Sequence, residues 1–342
     1  MAIFRPKYDI IAIGDPVIDS FLFVDDMQIS KDGLHATVNW GDKLPVQKFY
    51  KSVAGNASNN AIGSSRLGLK AAFYCIVGDD VGGREIKHRM TKESVSTEYI
   101  FMDKQHGTNY HTVLCHDGER TIFVYHEHRK YHMPAFAKSK WVYLTSMPEG
   151  FQRIYKNLAE YLDTHKVRLG FNPGTFQLKA GIKVNKPMLE RTDVLSVNVE
   201  EAQRWVGDDT RDPEELCRRL RKLGPKAIAL TDGRKGAYSF SEEGFYYIPE
   251  YPGPRIESTG AGDSFTTAYI AALIYGKSHK EALEWGPTNA GSVVQKVGPI
   301  EGLLTRTQLE ADRKKHKRFH AVDIGDLKTK AKVLQIVAKK KD

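Results

Sequence analysis

Short apolar runs alternate with amphipathic stretches along most of the chain, the pattern of buried parallel strands separated by covering helices. Tyr8 to Gly14 (YDIIAIG) is the first such run, and Ala71 to Val77, Trp141 to Leu144, Val167 to Phe171, Val194 to Val197 and Ala227 to Leu230 repeat it. Helices are expected from the Ala54-Gly55-Asn56 stretch to Arg66 and over Arg84 to Glu93, Phe151 to His165, Glu200 to Val206, Pro213 to Leu223, Ser264 to Tyr275 and His279 to Lys296. Phe21 to Val53 is different: mixed polarity with turn residues at Asp32-Gly33 and Gly41-Asp42 suits short antiparallel strands. Further strands, extending the lid or the sheet edge, are expected at Tyr99 to Phe101, Asn109 to His116 and Arg120 to Tyr125, the last two joined by the hairpin signal Asp117-Gly118. The pattern predicts an α/β fold: a three-layer α/β/α sandwich with a mostly parallel central sheet and a small β-sheet lid drawn from about 20–53 and 99–126. One domain is expected over 1–304, followed by a basic helix or tail over 305–342.

Composition agrees with this picture and narrows it. A chain of 342 residues with 41% hydrophobic residues can fill a substantial core. The net charge of +9 suggests a nucleic-acid partner until it is mapped along the chain. From Thr305 onward 12 Lys or Arg stand against 5 Asp or Glu, so seven of the nine charges fall in the last 38 residues. No aromatic residues interleave with Lys339-Lys340-Lys341, which argues against base stacking and for a solvated basic tail. Cys75, Cys115 and Cys217 are far apart and form no CxxC pair, so buried thiols are expected rather than disulfides or zinc. No apolar run reaches the ~18 residues that cross a bilayer, and Met1 to Lys7 lacks a signal-peptide profile, so a cytoplasmic protein is expected.

Several polar stretches sit where buried strands end or helices begin. Ser258-Thr259-Gly260-Ala261-Gly262-Asp263 opens an apolar helix, where unsatisfied backbone N–H groups can close on a phosphate and Asp263 can take a proton from a hydroxyl nucleophile. An ordinary capped helix explains the hexapeptide equally well. Asp15 and Asp19 follow the first strand and are placed to meet a substrate or to cap a turn. Asn59, at the start of a helix rich in small residues, can both donate to and accept from sugar hydroxyls. Asn198 and Glu201 can order the waters of a magnesium ion, and Thr231 with Gly233 offers a hydroxyl and open backbone to nucleotide phosphates. His126, His128 and His132 invite a metal reading, but no carboxylate or thiolate ligand set accompanies them.

Jointly these features resemble the ribokinase-like, PfkB-type family of carbohydrate and nucleoside kinases, from about Tyr8 to Gly302. Ala54 to Asn59 through Arg66-Leu67-Gly68 is similar to the family's amino-terminal pattern, Ser258 to Asp263 to its carboxyl-terminal one, and Asn198 with Glu201 to its N-x-x-E pattern. The order and separation of the motifs are far more specific than either alone. The resemblance implies an ATP-dependent phosphotransferase acting on a primary hydroxyl of a small sugar, with a nucleoside as the alternative substrate. Asp263 would be the general base, and the N–H groups of Gly260, Ala261 and Gly262 the anion hole. Asp15, Asp19, Gly55 and Asn59 would hold the substrate; Asn198, Thr231, Gly233 and Asn289 would contact ATP; Asn198 and Glu201 would organise Mg²⁺ through water. Dimerisation through the lid is also implied. The family often has Asp where this chain has Glu257, which leaves K⁺ activation open, and Asn56 in place of Lys favours a neutral sugar over a sugar phosphate. A binding or regulatory protein that kept the fold and lost the chemistry would not be expected to keep Asp263, Asn198 and Glu201.

Overall fold

In the computed structural model, which describes residues 6–32, 34–117, 119–326, 329 and 333, the expected architecture is present. Gly33, Gly118 and the Lys339 to Lys341 run of the basic tail lie outside the described residues. The first half contains β1 (Tyr8–Ile13), β2 (Val17–Phe23), β3 (Gln28–Ile29), β4 (Ala36–Thr37), β5 (Lys48–Ala54), α1 (Asn56–Arg66), β6 (Ala71–Gly78), α2 (Val81–Lys92), β7 (Ile100–Asp103), β8 (Tyr110–His116), β9 (Glu119–Tyr125), β10 (Ser139–Leu144) and α3 (Gln152–His165). The second half contains β11 (Arg168–Phe171), α4 (Thr175–Leu189), β12 (Thr192–Asn198), α5 (Val199–Val206), α6 (Pro213–Arg221), β13 (Ala227–Thr231), β14 (Ala237–Ser241), β15 (Gly244–Ile248), α7 (Ala261–Ile274), α8 (His279–Val293), α9 (Arg306–Lys315) and β16 (Val322–Asp323).

Ten strands form the central sheet in the order β16-β15-β14-β13-β12-β11-β10-β1-β6-β7. Strands β7 to β13 of that order run parallel, and β14, β15 and β16 finish the sheet antiparallel. The parallel strands are apolar along nearly their whole length because helices cover both faces. On one face Leu158, Leu162, Met188, Leu189, Val199, Trp205 and Leu216 from α3 to α6 pack down on the sheet. On the other, α1, α2, α7, α8 and α9 contribute Ala57, Ile86, Phe265, Ile270, Trp285 and Leu309. Helix α7 lies between α1 and α8, and every residue from Asp263 to Ala272 is buried, which is why its sequence is apolar all round.

A separate four-stranded sheet, β5-β2-β8-β9, is the lid. It is mixed, since β2 pairs antiparallel with β5 but parallel with β8. The strand expected at Tyr99 to Phe101 belongs instead to the edge of the central sheet, where β7 pairs with β6, so the lid's second contribution starts only at Tyr110. Strands β3 and β4 form their own ribbon in the excursion between β2 and β5. Trp40, which follows them, is fully exposed, whereas Trp141, Trp205 and Trp285 are buried.

Three elements have no counterpart in the hydrophobic pattern. Helix α4 carries a glycine in left-handed geometry, Gly181 at φ 78°, and Pro187, both of which argue against a helix locally. Buried Asn185 bridges the break by donating to the carbonyls of Gln177 (2.7 Å) and Gly181 (2.8 Å). The hairpin β14–β15 is the second, and β16, which pairs with β15, is the third. Packing therefore continues past residue 304: Leu309, Ala321 and Ile324 are buried. Cys75 and Cys217 are buried thiols as expected, and Cys115 on β8 is half-buried. Among the described residues no helix is long and apolar enough to cross a membrane.

Candidate active site

Helix α7 begins at a strained turn. Gly260 has φ +77°, and a Cβ there would lie 2.5 Å from Cβ of Pro299, so only glycine fits. Beyond it the helix presents an open N-terminus: an added Cβ on Gly262 would meet nothing within 4 Å. The N–H groups of Gly260, Gly262 and Asp263 take no backbone acceptor among the described residues. Ala261, expected in the anion hole, instead donates its N–H to the Ser258 carbonyl at 3.2 Å. The free donors and the helix dipole make this a seat for an anion.

The carboxyl group of Asp263 sits at that seat and is buried. Asn59 Nδ2 donates to its Oδ2 at 2.8 Å, so the two motifs that lie 204 residues apart in sequence meet directly. One turn along, Asn60 Nδ2 donates to Thr267 Oγ1 (3.0 Å) and fixes α1 against α7. Burial pushes the Asp263 carboxyl up to about 6, against the pull of the Asn59 hydrogen bond. A base in that range is ionised at neutral pH yet is a stronger proton acceptor than an ordinary aspartate.

Beside it, Asp15 in the short link from β1 to the lid and Asp19 on lid strand β2 are both buried. Oδ2 of Asp15 accepts from Asn109 Nδ2 (2.9 Å) and Tyr131 OH (2.7 Å), and burial holds this carboxyl at about 6. Gly55, at φ +103°, lets α1 begin against this link: a Cβ there would stand 2.6 Å from the Asp15 carbonyl oxygen. In the lid, His111 Nδ1 lies 3.2 Å from Asp19 Oδ1, close enough for an ion pair but not aligned as a hydrogen bond. The His111 ring is edge-on to His126 at 5.3 Å, and His126 is edge-on to Phe176 at 6.3 Å. Burial, reinforced by His111, lowers His126 to about 4 and keeps it neutral. The result is a set of buried polar atoms with no hydrogen-bond partner: Asp15 Oδ1, Asp19 Oδ1, Asn59 Oδ1, His111 Nε2 and His126 Nδ1. Buried polar atoms are nearly always paired, so an unpaired set of donors and acceptors marks a place where a polar ligand completes the network. His111, Asn109, Tyr131 and Phe176 carry no motif in the sequence; the parallel pairing of β2 with β8, which sets Asp19 opposite His111, brings His111 in.

A polar cavity of about 190 Å³ joins Asp263, Gly260 and Gly262 to Asn198, Glu201 and Thr231. Asn198 Oδ1 accepts from the Glu201 N–H (2.8 Å) and Glu201 Oε2 from the Asn198 N–H (2.9 Å), a reciprocal capping box that starts α5. Burial raises the Glu201 carboxyl and the charge of Asp263 raises it further. Two buried carboxyls, one raised by the charge of the other, in one oxygen-lined cavity fit a hydrated Mg²⁺. No cluster of three metal-ligating side chains occurs among the described residues, so the His126, His128 and His132 reading finds no support.

A second cleft, about 390 Å³, runs on from the first and is lined by Thr231, Gly233, Ala237, Pro254, Ala290 and Val294 among others. Its size falls in the range of small-molecule sites, and Thr231 and Gly233, expected from the sequence to contact a nucleotide, are among its lining residues. Asn289 is not part of it. Its amide is fully buried, donating to the Ser264 carbonyl (2.9 Å) and accepting from the Leu304 N–H (3.0 Å), so it clamps α8 to α7 and to the following loop. Glu257 is also committed: it accepts from the Thr259 N–H (2.6 Å) and the Gly298 N–H (3.2 Å) and pairs with Arg120 at 3.2 Å. That carboxylate already carries a cation from the protein itself.

Residues 16–306 match the pattern of the pfkB family of carbohydrate kinases. The 5-dehydro-2-deoxygluconokinase of Bacillus subtilis (strain 168) is 27% identical over 323 residues, covering 89% of this chain and 95% of that protein. Among solved structures, Arabidopsis thaliana ribokinase complexed with ribose and ATP superposes with a TM-score of 0.75 at 21% identity, covering 91% of this chain and 99% of that one. The nucleoside kinase of Methanocaldococcus jannaschii, an archaeal member of the ribokinase family, gives 0.74 at 19% identity and covers 90% and 98%.

Proposed function

The chain belongs to the pfkB family of carbohydrate kinases, and from that premise we propose that it transfers the terminal phosphoryl group of ATP to a primary hydroxyl of a small neutral sugar. One observation carries the reading: Asp263 is buried at an open helix N-terminus, tied by Asn59 to the side of the site where unpaired polar atoms wait for hydroxyl groups. Asp263 takes the hydroxyl proton as the substrate oxygen bonds to the γ-phosphorus and the bond to the β,γ-bridging oxygen breaks, releasing ADP. The N–H groups of Gly260, Gly262 and Asp263 face the charge that gathers on the transferring group. Asp15, Asp19 and Asn59 hold the sugar; Thr231 and Gly233 hold the nucleotide. Asn198 and Glu201 would hold Mg²⁺ through water, and the ion when bound supplies charge neutralisation between the phosphates and the paired carboxylates.

The unpaired set around Asp15, Asp19 and Asn59 contains three carboxylate or amide oxygens and two imidazole nitrogens, and the cation behind it is Arg129, whose buried Nε also lacks a partner. Arg129, the cation near Asp15, is buried and held by Asp103 and the Gly107 carbonyl. A neutral polyol suits this lining better than a sugar acid or sugar phosphate. A nucleoside is the second reading, favoured by the rings of His126 and Phe176, which offer a base an aromatic edge. The test is ADP release with Mg²⁺ and ATP across a panel of free sugars, sugar acids and nucleosides. Turnover confined to neutral sugars is expected; no release above the ATP-only background with any of them would overturn the kinase reading.

Lid-to-lid dimerisation is also part of the proposal. Strand β9 is the lid's edge, and Ile122, Phe123, Val124 and Tyr125 are all exposed there, an apolar edge that another lid could cover. A monomeric mass by light scattering at assay concentration would remove this element.

A further inference from the structure

Among the described residues a charged link joins the lid to the anion seat. Arg120, on the edge strand β9, extends its guanidinium to Glu257 Oε1 (Nη1 at 3.2 Å) and to Ser258 Oγ (Nη2 at 3.4 Å). Both side chains are largely shielded, 30% exposed for Arg120 and 15% for Glu257. The link bridges a cavity of about 190 Å³ between the lid and the loop, bordered by Phe21, Cys115, Glu257 and Val297. The two parts are therefore not packed tightly here, and the ion pair spans a gap that apolar contact leaves open.

Glu257 passes the connection on. Its two oxygens hold the N–H groups of Thr259 and Gly298, and Gly298 adjoins Pro299, against which the strained turn at Gly260 is wedged. Arg120, Glu257, Thr259 and Gly260 thus form a continuous chain from lid to phosphate seat. Glu257 also lies only three residues before Gly260, where an uncompensated carboxylate would repel the phosphate that the seat exists to hold. With the lid in place the guanidinium supplies the missing charge.

We propose that Arg120 is a positioning residue that couples lid position to the phosphate seat, through Glu257. The inference rests on the kinase reading for its consequence: a sugar that holds the lid in this position holds Arg120 on Glu257, so sugar and nucleotide each tighten the other's binding. Such coupling is reciprocal and is commonly worth about 5–150-fold in affinity.

The experiment compares wild type with Arg120→Ala, Arg120→Lys and Glu257→Gln in three measurements. Hydrogen exchange over residues 257–262 needs no substrate and reads the link alone. MgADP affinity with and without an accepted sugar reads the coupling, and kcat and KM read its effect on turnover. In Arg120→Ala, faster exchange in 257–262 and about a tenfold loss of the sugar-dependent gain in nucleotide affinity are expected. Methylguanidinium added to Arg120→Ala should restore part of that gain, and Arg120→Lys should retain part of it, which a merely misfolded lid would not permit. The double variant Arg120→Ala/Glu257→Gln should be no worse than the poorer single variant. Unchanged exchange and coupling in Arg120→Ala, or losses that simply add in the double variant, would overturn the proposal. Wild type that phosphorylates no sugar or nucleoside would instead sink the kinase reading, while hydrogen exchange would still decide the link.

Discussion

Replacing Asp263 by Asn should move activity and stability in opposite directions. The substitution preserves shape, and its carbonyl can still accept from Asn59 Nδ2, so the geometry of α1 against α7 is kept. What disappears is the proton acceptor, and general-base assistance is typically worth about 10²–10⁴ in rate, or roughly 3–5 kcal/mol of barrier. Stability responds to the same carboxyl differently. Its ordinary value of 3.8 is raised to about 6 in the fold. Below 3.8 the group is protonated whether folded or not, and it contributes nothing. Between 3.8 and 6 the unfolded chain releases a proton that the folded chain retains, so rising pH works against folding. Above 6 the penalty is complete, about 3 kcal/mol. Asn escapes it, less whatever its buried NH₂ loses for want of an acceptor, so a gain of about 1–3 kcal/mol is expected at pH 7.5, fading as pH falls toward 4. The assay pairs steady-state turnover with denaturant unfolding at pH 7.5 and pH 4.5. MgATP affinity should hold or improve, since one negative charge leaves the phosphate cavity. Turnover within tenfold of wild type would refute the base assignment, and a stability gain that does not shrink at low pH would refute the ionisation argument.

Two further substitutions separate roles within the site. Asn59→Ala removes the hydrogen bond that holds the Asp263 carboxyl down, so the acid limb of the kcat/KM profile should move to higher pH; an unmoved limb would mean that Asp263 does not set it. Asn289→Ala should reduce stability by about 1–3 kcal/mol by leaving the Ser264 carbonyl and the Leu304 N–H unpaired, yet change MgADP affinity little, and calorimetry showing lost nucleotide binding would return this residue to the nucleotide site.

Much of this molecule can be read from local sequence, and the parts that cannot are instructive. Buried parallel strands such as YDIIAI announce themselves because both faces are covered. Helix α1 is buried at every residue from Ala57 to Ser64, between sheet and α7, which explains its small side chains. Helix α4 is invisible because Gly181 and Pro187 oppose it locally and Asn185, a tertiary clamp, overrides them. Asn289 shows the converse: a polar residue in a helix beside a cleft reads as a ligand contact until its two backbone partners are found. Ala261 lost its expected role to a single turn hydrogen bond. Arg120 and Glu257, 137 positions apart, carry no joint signal in one sequence, because nothing short of the folded lid brings them together.

Trp40 gives the lid an optical consequence. Three of the four indoles are sealed in the interior and cannot be reached by a dissolved quencher, while this one, in the excursion between β2 and β5, stands wholly in water. Iodide should therefore extinguish one component of the emission and leave the rest. A ligand that draws the lid down, or a second subunit laid across it, would change that component alone. The unlabelled protein thus carries its own reporter on the part of the fold that the proposed coupling requires to move.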